Sequence, residues 1–205
     1  MPDTRRLFSR DAIAARLAAP PSEALREPHA VRLAPGARVT PAAVLVPLVN
    51  RPDGVHVLLT QRTAHLNHHP SQVSFPGGRV DASDADRIAT ALREAEEEVG
   101  LAPSRVTVLG SLPDYDIPSG FRVTPVVGWI EPPLDLATLT LDPFEVAAAF
   151  EAPLAALLDP ARVHRREFEF NGRHRHYVAI PYEGRYIWGA TAGMLLSLAR
   201  QLGHG

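Results

Sequence analysis

The sequence predicts an α/β sandwich, in which helices pack on a mixed β-sheet. Short apolar runs rich in β-branched residues predict strands along most of the chain, and helical segments lie among them. These elements do not alternate strictly, as a doubly wound parallel sheet would require, so a mixed sheet is favoured. The length of 205 residues suits one domain with an N-terminal extension.

The composition excludes several function classes. Hydrophobic residues make up 45% of the chain and charged residues 21%, as in a globular protein, and the net charge of -2 indicates no nucleic-acid partner. Cysteine is absent, which excludes disulfides, thiolate metal ligands and a cysteine nucleophile. The sequence shows neither a signal-peptide core nor an apolar run near the ~20 residues that span a bilayer. We therefore expect a cytoplasmic protein without a membrane partner.

Residues 1–40 are predicted to precede the compact domain, which spans residues 41–205. A helix is predicted over residues 9–19, with Ser9 or Asp11 as its N-cap, and it ends at Pro20. A proline-rich connector follows up to residue 40. Within the domain, strands are predicted over 42–49, 55–61, 106–112, 121–130, 167–170 and 174–180. The last two are predicted to pair as a hairpin around the turn dipeptide Asn171-Gly172. Helices are predicted over 85–99, 144–158 and 189–202, and Pro153 is expected to split the second of these into two short pieces.

The predicted helix over residues 85–99, capped by Ser83 or Asp84, carries a carboxylate cluster. Glu94, Glu97 and Glu98 are spaced i, i+3 and i+4, which places them on one helix face. Such carboxylates repel one another unless cations intervene, and oxygen ligands suit Mg²⁺ or Mn²⁺. The alternative is an ordinary solvated acidic face.

The surroundings of this helix resemble a known family. Gly78, Arg93-Glu94, Glu97-Glu98, Gly100 and Leu101 resemble the Nudix box of the Nudix hydrolase superfamily. The chain departs from the box in three ways: Asp84 replaces a glutamate, one extra residue precedes Arg93, and Ala95 replaces a larger aliphatic residue. The coenzyme A pyrophosphatase branch is similar in its longer spacing and its aspartate.

Further segments resemble the same branch. Leu58–Arg62 with Pro76-Gly77-Gly78 resembles the motif that precedes the box in coenzyme A-hydrolysing members, although Thr63, Asn67 and Ser71 depart from it. The motif has an arginine at the position of Asn67 and a glycine at the position of Ser71. The segments that resemble later parts of the family are 123–128, 142–146, 150–154 and 187–192.

The resemblance implies a Nudix-type α/β/α sandwich and a set of catalytic and metal-binding residues. Glu94, Glu97 and Glu98 would be the ligands of Mg²⁺ or Mn²⁺, with Glu98 the most central. Arg93 would orient a neighbouring carboxylate. Glu145 would supply a further ligand or the general base; alternatively it only helps to start the helix predicted over 144–158. Asp84 would be either a helix cap or an outer partner of the metal.

The residues predicted to bind substrate lie before the box: Arg62, Phe75, Gly77 and Gly78. Arg62 could contact the phosphates or pair with a carboxylate of the box, and Phe75 could pack internally or stack on the substrate. His65, His68 and His69 are interpreted as a solvated loop. Trp188 is interpreted as a core or interface residue.

The resemblance implies hydrolysis of a nucleoside diphosphate linked to another group. The first hypothesis is cleavage of coenzyme A to 3′,5′-ADP and 4′-phosphopantetheine. A second is a Nudix hydrolase of ADP-ribose, a dinucleotide cofactor or a nucleoside triphosphate. A third, from another class, is a catalytically silent nucleotide-binding module. The expected partner is a small nucleotide, and a homodimer is a family-level expectation.

Overall fold

In the computed structural model, which describes residues 8–18, 31–65, 71–170 and 173–204, the predicted apolar runs form the centre of a mixed β-sheet. Within the described residues this sheet has eight strands: β1 (Thr40–Arg51), β2 (Gly54–Arg62), β3 (Val73–Ser74), β4 (Gly77–Arg79), β5 (Val106–Ser111), β6 (Tyr115–Asp116), β7 (Phe121–Ile130) and β8 (Val146–Pro153). The main strand order is β3-β2-β1-β7-β5, and β4, β6 and β8 pair with β1, β7 and β2 respectively. Among the strands that the structure describes, only β1 and β7 pair in parallel. The mixed sheet predicted from the sequence is therefore confirmed.

Helices cover both faces of this sheet. The described helices are α1 (Arg10–Leu17), α2 (Arg87–Val99), α3 (Leu154–Leu157) and α4 (Ala190–Gln201), with 3-10 turns at Pro103–Arg105, Leu136–Thr138 and Pro160–Arg162. Ala91 and Ala95 of α2 pack with Leu45 on one face. Ile13 of α1 and Leu195 of α4 belong to a separate core on the other face. The α/β/α arrangement therefore has two distinct cores.

A second, antiparallel sheet consists of β9 (His164–Phe170), β10 (Arg173–Tyr182) and β11 (Arg185–Trp188). The predicted pairing of β9 with β10 is confirmed, while the proposed turn dipeptide Asn171-Gly172 lies outside the described residues. β11 was not predicted from the sequence. It pairs with β10 from Ala179↔Trp188 to Tyr182↔Arg185.

Of the two helical pieces predicted over residues 144–158, the one before Pro153 is wrong and the one after it is confirmed. Most of that segment is β8, and only Leu154–Leu157 are helical. Its alanines favour a helix locally, but β8 adds to the edge of β2 in antiparallel register, from His56↔Pro153 to Arg62↔Val146. Helix propensity is a weak preference that tertiary pairing overrides. The consequence is that Glu145 precedes a strand.

The two earlier helix predictions have different outcomes. Ser9 caps α1, since its side chain accepts the Ala12 N–H at 3.4 Å, so the predicted N-terminal helix is confirmed. For α2, the predicted caps Ser83 and Asp84 are wrong. Asp86 is the N-cap, and its side chain accepts the Ala89 N–H at 2.8 Å. Among the described residues, no helix is long and apolar enough to cross a membrane. The domain division at residue 40 stays a prediction.

Candidate active site

The sheet and a glycine fix the position of the carboxylate helix α2. Ala91, Ala95 and Val99 are spaced four apart and fully buried, so this stripe holds one face of α2 on the sheet. Gly100 ends the helix with φ 69°, and its N–H donates to the Glu96 carbonyl at 2.9 Å. Because the apolar stripe and the glycine fix both the rotation and the end of α2, they also fix its glutamates.

Glu98 is the innermost of these glutamates, with 5% of its surface exposed. One oxygen, Oε2, accepts the Gly77 N–H at 3.4 Å, and the other, Oε1, lies 3.9 Å from Nη1 of Arg62. Burial raises the pKa of Glu98 to about 8, and the charges of Glu145 and Glu94 act in the same direction, while Arg62 opposes them. Glu98 therefore favours a nearby positive charge.

Arg62 and Glu145 form an ion pair beside Glu98. Arg62 ends β2, and its Nη2 donates to Glu145 Oε2 at 3.2 Å. The Thr63 N–H donates to the Glu145 carbonyl at 3.0 Å, which ties the start of β8 to the end of β2. Of the two alternatives for Arg62, the structure shows the pairing with carboxylates. The alternative that Glu145 starts a helix is wrong.

Arg93 contacts the carboxylates of Asp84, Glu94 and Glu97. Its Nε and Nη2 donate to the two oxygens of Asp84 at 2.9 and 3.0 Å, and its Nη1 contacts Glu97 at 2.8 Å and Glu94 at 3.0 Å. The predicted pairing of Arg93 with a neighbouring carboxylate is present. Asp84 also accepts the Thr90 hydroxyl at 2.8 Å. The hydrogen bonds from Arg93 hold the pKa of Asp84 well below its usual range.

Glu94 and Glu97 differ in their surroundings although they share Arg93. The Glu94 side chain is 17% exposed, and burial raises its pKa, whereas the Glu97 side chain is 59% exposed. Gly78 lies directly against Glu94: a Cβ at this position would come within 2.5 Å of the carboxylate. Glycine at residue 78 therefore leaves the space that the Glu94 carboxylate occupies.

The residues of this site fit a divalent cation. In the part of the chain that the structure describes, no three Asp, Glu, His or Cys side chains form a ready cluster around one point. Instead, Glu98 approaches Arg62, and Glu94 and Glu97 pair with Arg93. Carboxylates are the hard oxygen ligands that Mg²⁺ and Mn²⁺ prefer. A bound cation would stabilise the ionised form of a buried carboxylate that has two other carboxylates near it. Their role as metal ligands stays a prediction.

The remaining predicted residues lie in different environments. Phe75 is 2% exposed and packs in the core, so we propose no substrate contact for it. Gly77 has φ 155° and lies so close to β1 that a Cβ would meet the Ala43 carbonyl oxygen at 2.5 Å. Asn67, His68 and His69 lie outside the described residues. Trp188 is 38% exposed and makes an edge-to-face contact with Tyr177, so it is not a core residue.

Sequence reasoning missed two neighbours of the site, Thr63 and Phe144. Thr63 is 7% exposed, and its hydroxyl donates to the Phe144 carbonyl at 2.7 Å. Phe144 is 63% exposed and contacts His65 edge-to-face. In the sequence, Thr63 stands out only as a departure from a motif, and Phe144 falls in a segment predicted to be helical. The Asp-Pro-Phe-Glu sequence at 142–145, a turn-forming pattern before an apolar run, could have revealed the turn.

Comparisons with known proteins find a matching family and a similar fold. A family model described as the NUDIX domain matches residues 39–171. The chain is 49% identical over 163 residues to a protein of Escherichia coli K12 named Uncharacterized Nudix hydrolase NudL, covering 79% of this chain and 82% of that protein. It is 48% identical over 162 residues to the protein of the same name from Cronobacter sakazakii, with the same coverage. A MutT/nudix family structure from Enterococcus faecalis matches 84% of this chain and 65% of its own at 16% identity, with a TM-score of 0.50, which is a likeness of fold alone.

Proposed function

Because this chain belongs to the Nudix hydrolase family, whose members act on phosphorus-containing anhydrides, we propose that it cleaves the diphosphate of coenzyme A or its acyl derivatives. The products would be 3′,5′-ADP and 4′-phosphopantetheine or its acylated form. The observation that carries the proposal is the position of Arg62. This arginine ends the segment Leu58–Arg62, which resembles the motif of coenzyme A-hydrolysing members, and it lies between Glu98 and Glu145.

In the proposed reaction, the oxygen of a water molecule bonds to one phosphorus of the diphosphate. The bond from that phosphorus to the bridging oxygen breaks, and the second phosphate leaves with the electron pair. The water must lose a proton. Glu145, whose side chain is 41% exposed beside Arg62, is our candidate for the base that accepts it.

Nudix hydrolases generally use divalent cations such as Mg²⁺ or Mn²⁺, and we propose Glu94, Glu97 and Glu98 as their ligands. When bound, such cations neutralise the diphosphate and make water more acidic. Arg93 would hold Glu94 and Glu97 in position, since it contacts both while Asp84 fixes its guanidinium. Arg62 supplies positive charge beside Glu98 and Glu145, where it could contact a phosphate oxygen.

The backbone at Ser71 supports the coenzyme A branch. Ser71 replaces the glycine of the motif, yet its φ is 59°, the left-handed conformation that glycine adopts most easily. Its N–H donates to the Thr63 carbonyl at 3.4 Å, so the two ends of this loop are joined. The serine therefore keeps a glycine-like backbone at this end of the substrate loop.

A second candidate is hydrolysis of another nucleotide, such as ADP-ribose, a dinucleotide cofactor or a nucleoside triphosphate. The observation that favours it is Asn67, which stands where the motif has an arginine. An amide cannot bind a phosphate with the charge and the paired donors of a guanidinium.

The test is a panel of coenzyme A, acyl-coenzyme A, ADP-ribose and NADH, each incubated with Mg²⁺ or Mn²⁺ and resolved by mass spectrometry. We expect 3′,5′-ADP from coenzyme A. Turnover of another panel member without 3′,5′-ADP would support the second candidate. Tight nucleotide binding without any metal-dependent turnover would support a silent binding module. Light scattering of the same sample would test the predicted homodimer.

A further inference from the structure

Phe144 is the most exposed large apolar side chain among the described residues. It is 63% exposed, while Tyr186 and Trp188, the next two, are 42% and 38% exposed and lie on the second sheet. Exposing an aromatic ring forfeits the free energy that its burial would contribute. Phe144 directly precedes Glu145, so its unburied ring lies where it can contact a ligand of the proposed site.

Three hydrogen bonds hold the backbone around Phe144 in place. Two residues earlier, the Asp142 N–H donates to the Glu98 carbonyl at 3.0 Å, which joins this turn to α2. The Phe144 N–H donates to the Asp142 side chain at 2.8 Å, and the Phe144 carbonyl accepts the Thr63 hydroxyl at 2.7 Å. The ring therefore projects from a fixed turn. A surface fixed before binding loses less conformational freedom when a ligand arrives.

His65 supports the ring from the neighbouring loop. The two ring centroids are 4.9 Å apart and the ring planes make an angle of 61°, an edge-to-face contact. Such a contact uses the edge of one ring and one face of the other. Most of the Phe144 surface still faces solvent, so a flat ligand group can lie against it.

We propose that Phe144, supported by His65, is the stacking surface for the nucleobase of the substrate. The proposal rests on the proposed function for the location of the diphosphate at Arg62 and Glu98. The next residue, Glu145, contacts Arg62 at 3.2 Å, so a single turn carries both the exposed ring and a residue of the diphosphate site. A nucleobase is the part of a nucleotide with a flat π-face, whereas ribose and phosphate bind through hydrogen bonds and charge.

The experiment measures calorimetrically how tightly the full chain binds AMP and ribose 5-phosphate, which differ in the nucleobase. AMP has no diphosphate, so binding can be measured without turnover. Base–aromatic stacking of typical strength predicts that AMP binds the wild type at least about ten-fold more tightly than ribose 5-phosphate. Phe144→Ala should remove most of this difference and leave ribose 5-phosphate binding unchanged. Phe144→Trp should preserve it.

Tyr186→Ala is the matched control, since it truncates another exposed aromatic ring far along the chain on the second sheet. It should leave both affinities unchanged. The proposal is overturned if the wild type does not prefer AMP, or if folded Phe144→Ala, checked by circular dichroism, binds AMP as the wild type does. Phe144→Leu, which retains apolar bulk without an aromatic face, replaces the alanine variant if that variant does not fold, and the same criterion applies. If Phe144→Ala loses the preference for AMP that the wild type shows, but the wild type hydrolyses no panel member, the proposed function fails while the stacking surface stands.

Discussion

Asp84 binds the guanidinium of Arg93 through both carboxylate oxygens, at 2.9 Å from Nε and 3.0 Å from Nη2. Arg93 uses its remaining nitrogen, Nη1, to contact Glu94 and Glu97. The aspartate lies before α2 and the arginine in its middle, so the pair fixes the loop to the helix. We interpret Asp84 and Arg93 as a support that sets the geometry of the two outer carboxylates.

This support predicts that Arg93→Lys is not a conservative change. Lysine keeps the positive charge but loses the paired donors that match the Asp84 carboxylate. We expect kcat/KM to fall roughly 10- to 100-fold, as it does when groups that orient metal ligands are removed. Steady-state kinetics with Mg²⁺ would measure the loss. Arg87→Lys, on the same helix, is the control, and similar kinetics for the two variants would show that the paired donors are unimportant.

The two adjacent glycines are predicted to respond differently to alanine. At Gly78 a methyl group would displace only the end of the flexible Glu94 side chain, so Gly78→Ala should fold but lose roughly ten-fold or more in kcat/KM. At Gly77 it would meet the backbone of Ala43 and Val44, and φ is 155°, so Gly77→Ala should mainly lower stability. Thermal unfolding and kinetics on both variants separate the two effects. Equal losses of stability would contradict the assignment of Gly78 to Glu94.

The raised pKa of Glu98 predicts how stability depends on pH in the metal-free protein. Between its ordinary pKa of about 4.3 and the raised value of about 8, folded Glu98 retains a proton that the unfolded chain has released. Stability should therefore fall as pH rises through this window. Glu98→Gln cannot ionise and should escape this loss.

Thermal unfolding in a chelator, at pH 5 and at pH 8, measures that effect. The Tm of Glu98→Gln relative to wild type should increase between the two pH values by about 3 °C or more, which corresponds to roughly 1 kcal/mol for a chain of this size. Exposed Glu96→Gln, on the same helix, should show no such increase. A Tm difference that is constant with pH would argue against a protonated, buried Glu98.

Thr63 is predicted to position Glu145 and Phe144. Its hydroxyl donates to the Phe144 carbonyl and its N–H to the Glu145 carbonyl. Thr63→Val keeps the shape but leaves the carbonyl without this buried partner, at a cost of about 1–3 kcal/mol in stability. We expect kcat to fall several-fold with a shifted pH profile, and Thr63→Ser to restore both. If Thr63→Val loses only stability and keeps the wild-type pH profile, Thr63 has a structural role and does not position Glu145.

The sequence correctly predicts those elements whose local hydrophobic pattern agrees with their packing in the fold. The apolar runs of β1 and β7 are buried on the sheet, and the spacing of Glu94, Glu97 and Glu98 identified the carboxylate face of α2. The alanine-rich β8 was not predictable locally, because the strand depends on pairing with β2. The short β11 depends in the same way on β10.

The parts of the site that come from distant segments were less visible in the sequence. Arg62 and Glu145 are 83 positions apart and meet only because β8 pairs with β2. Asp84 was interpreted as a helix cap or an outer partner of the metal. The cap is Asp86, two residues later, which frees Asp84 to bind Arg93. Spacing along one helix can be counted in a sequence, whereas these contacts depend on how the strands are arranged.

The central claim, that buried Glu98 is essential for metal-dependent diphosphate hydrolysis, is tested most directly by comparing Glu98→Gln with Glu96→Gln. Both variants replace a glutamate of α2 by its isosteric amide, but only Glu98 is buried beside Arg62. We measure turnover of coenzyme A and the rest of the panel at saturating Mg²⁺ or Mn²⁺. We predict near-normal turnover for Glu96→Gln and a loss of at least ~100-fold for folded Glu98→Gln. This loss is larger than the one expected when a residue that only orients a metal ligand is removed. Near-normal turnover by Glu98→Gln would contradict the claim.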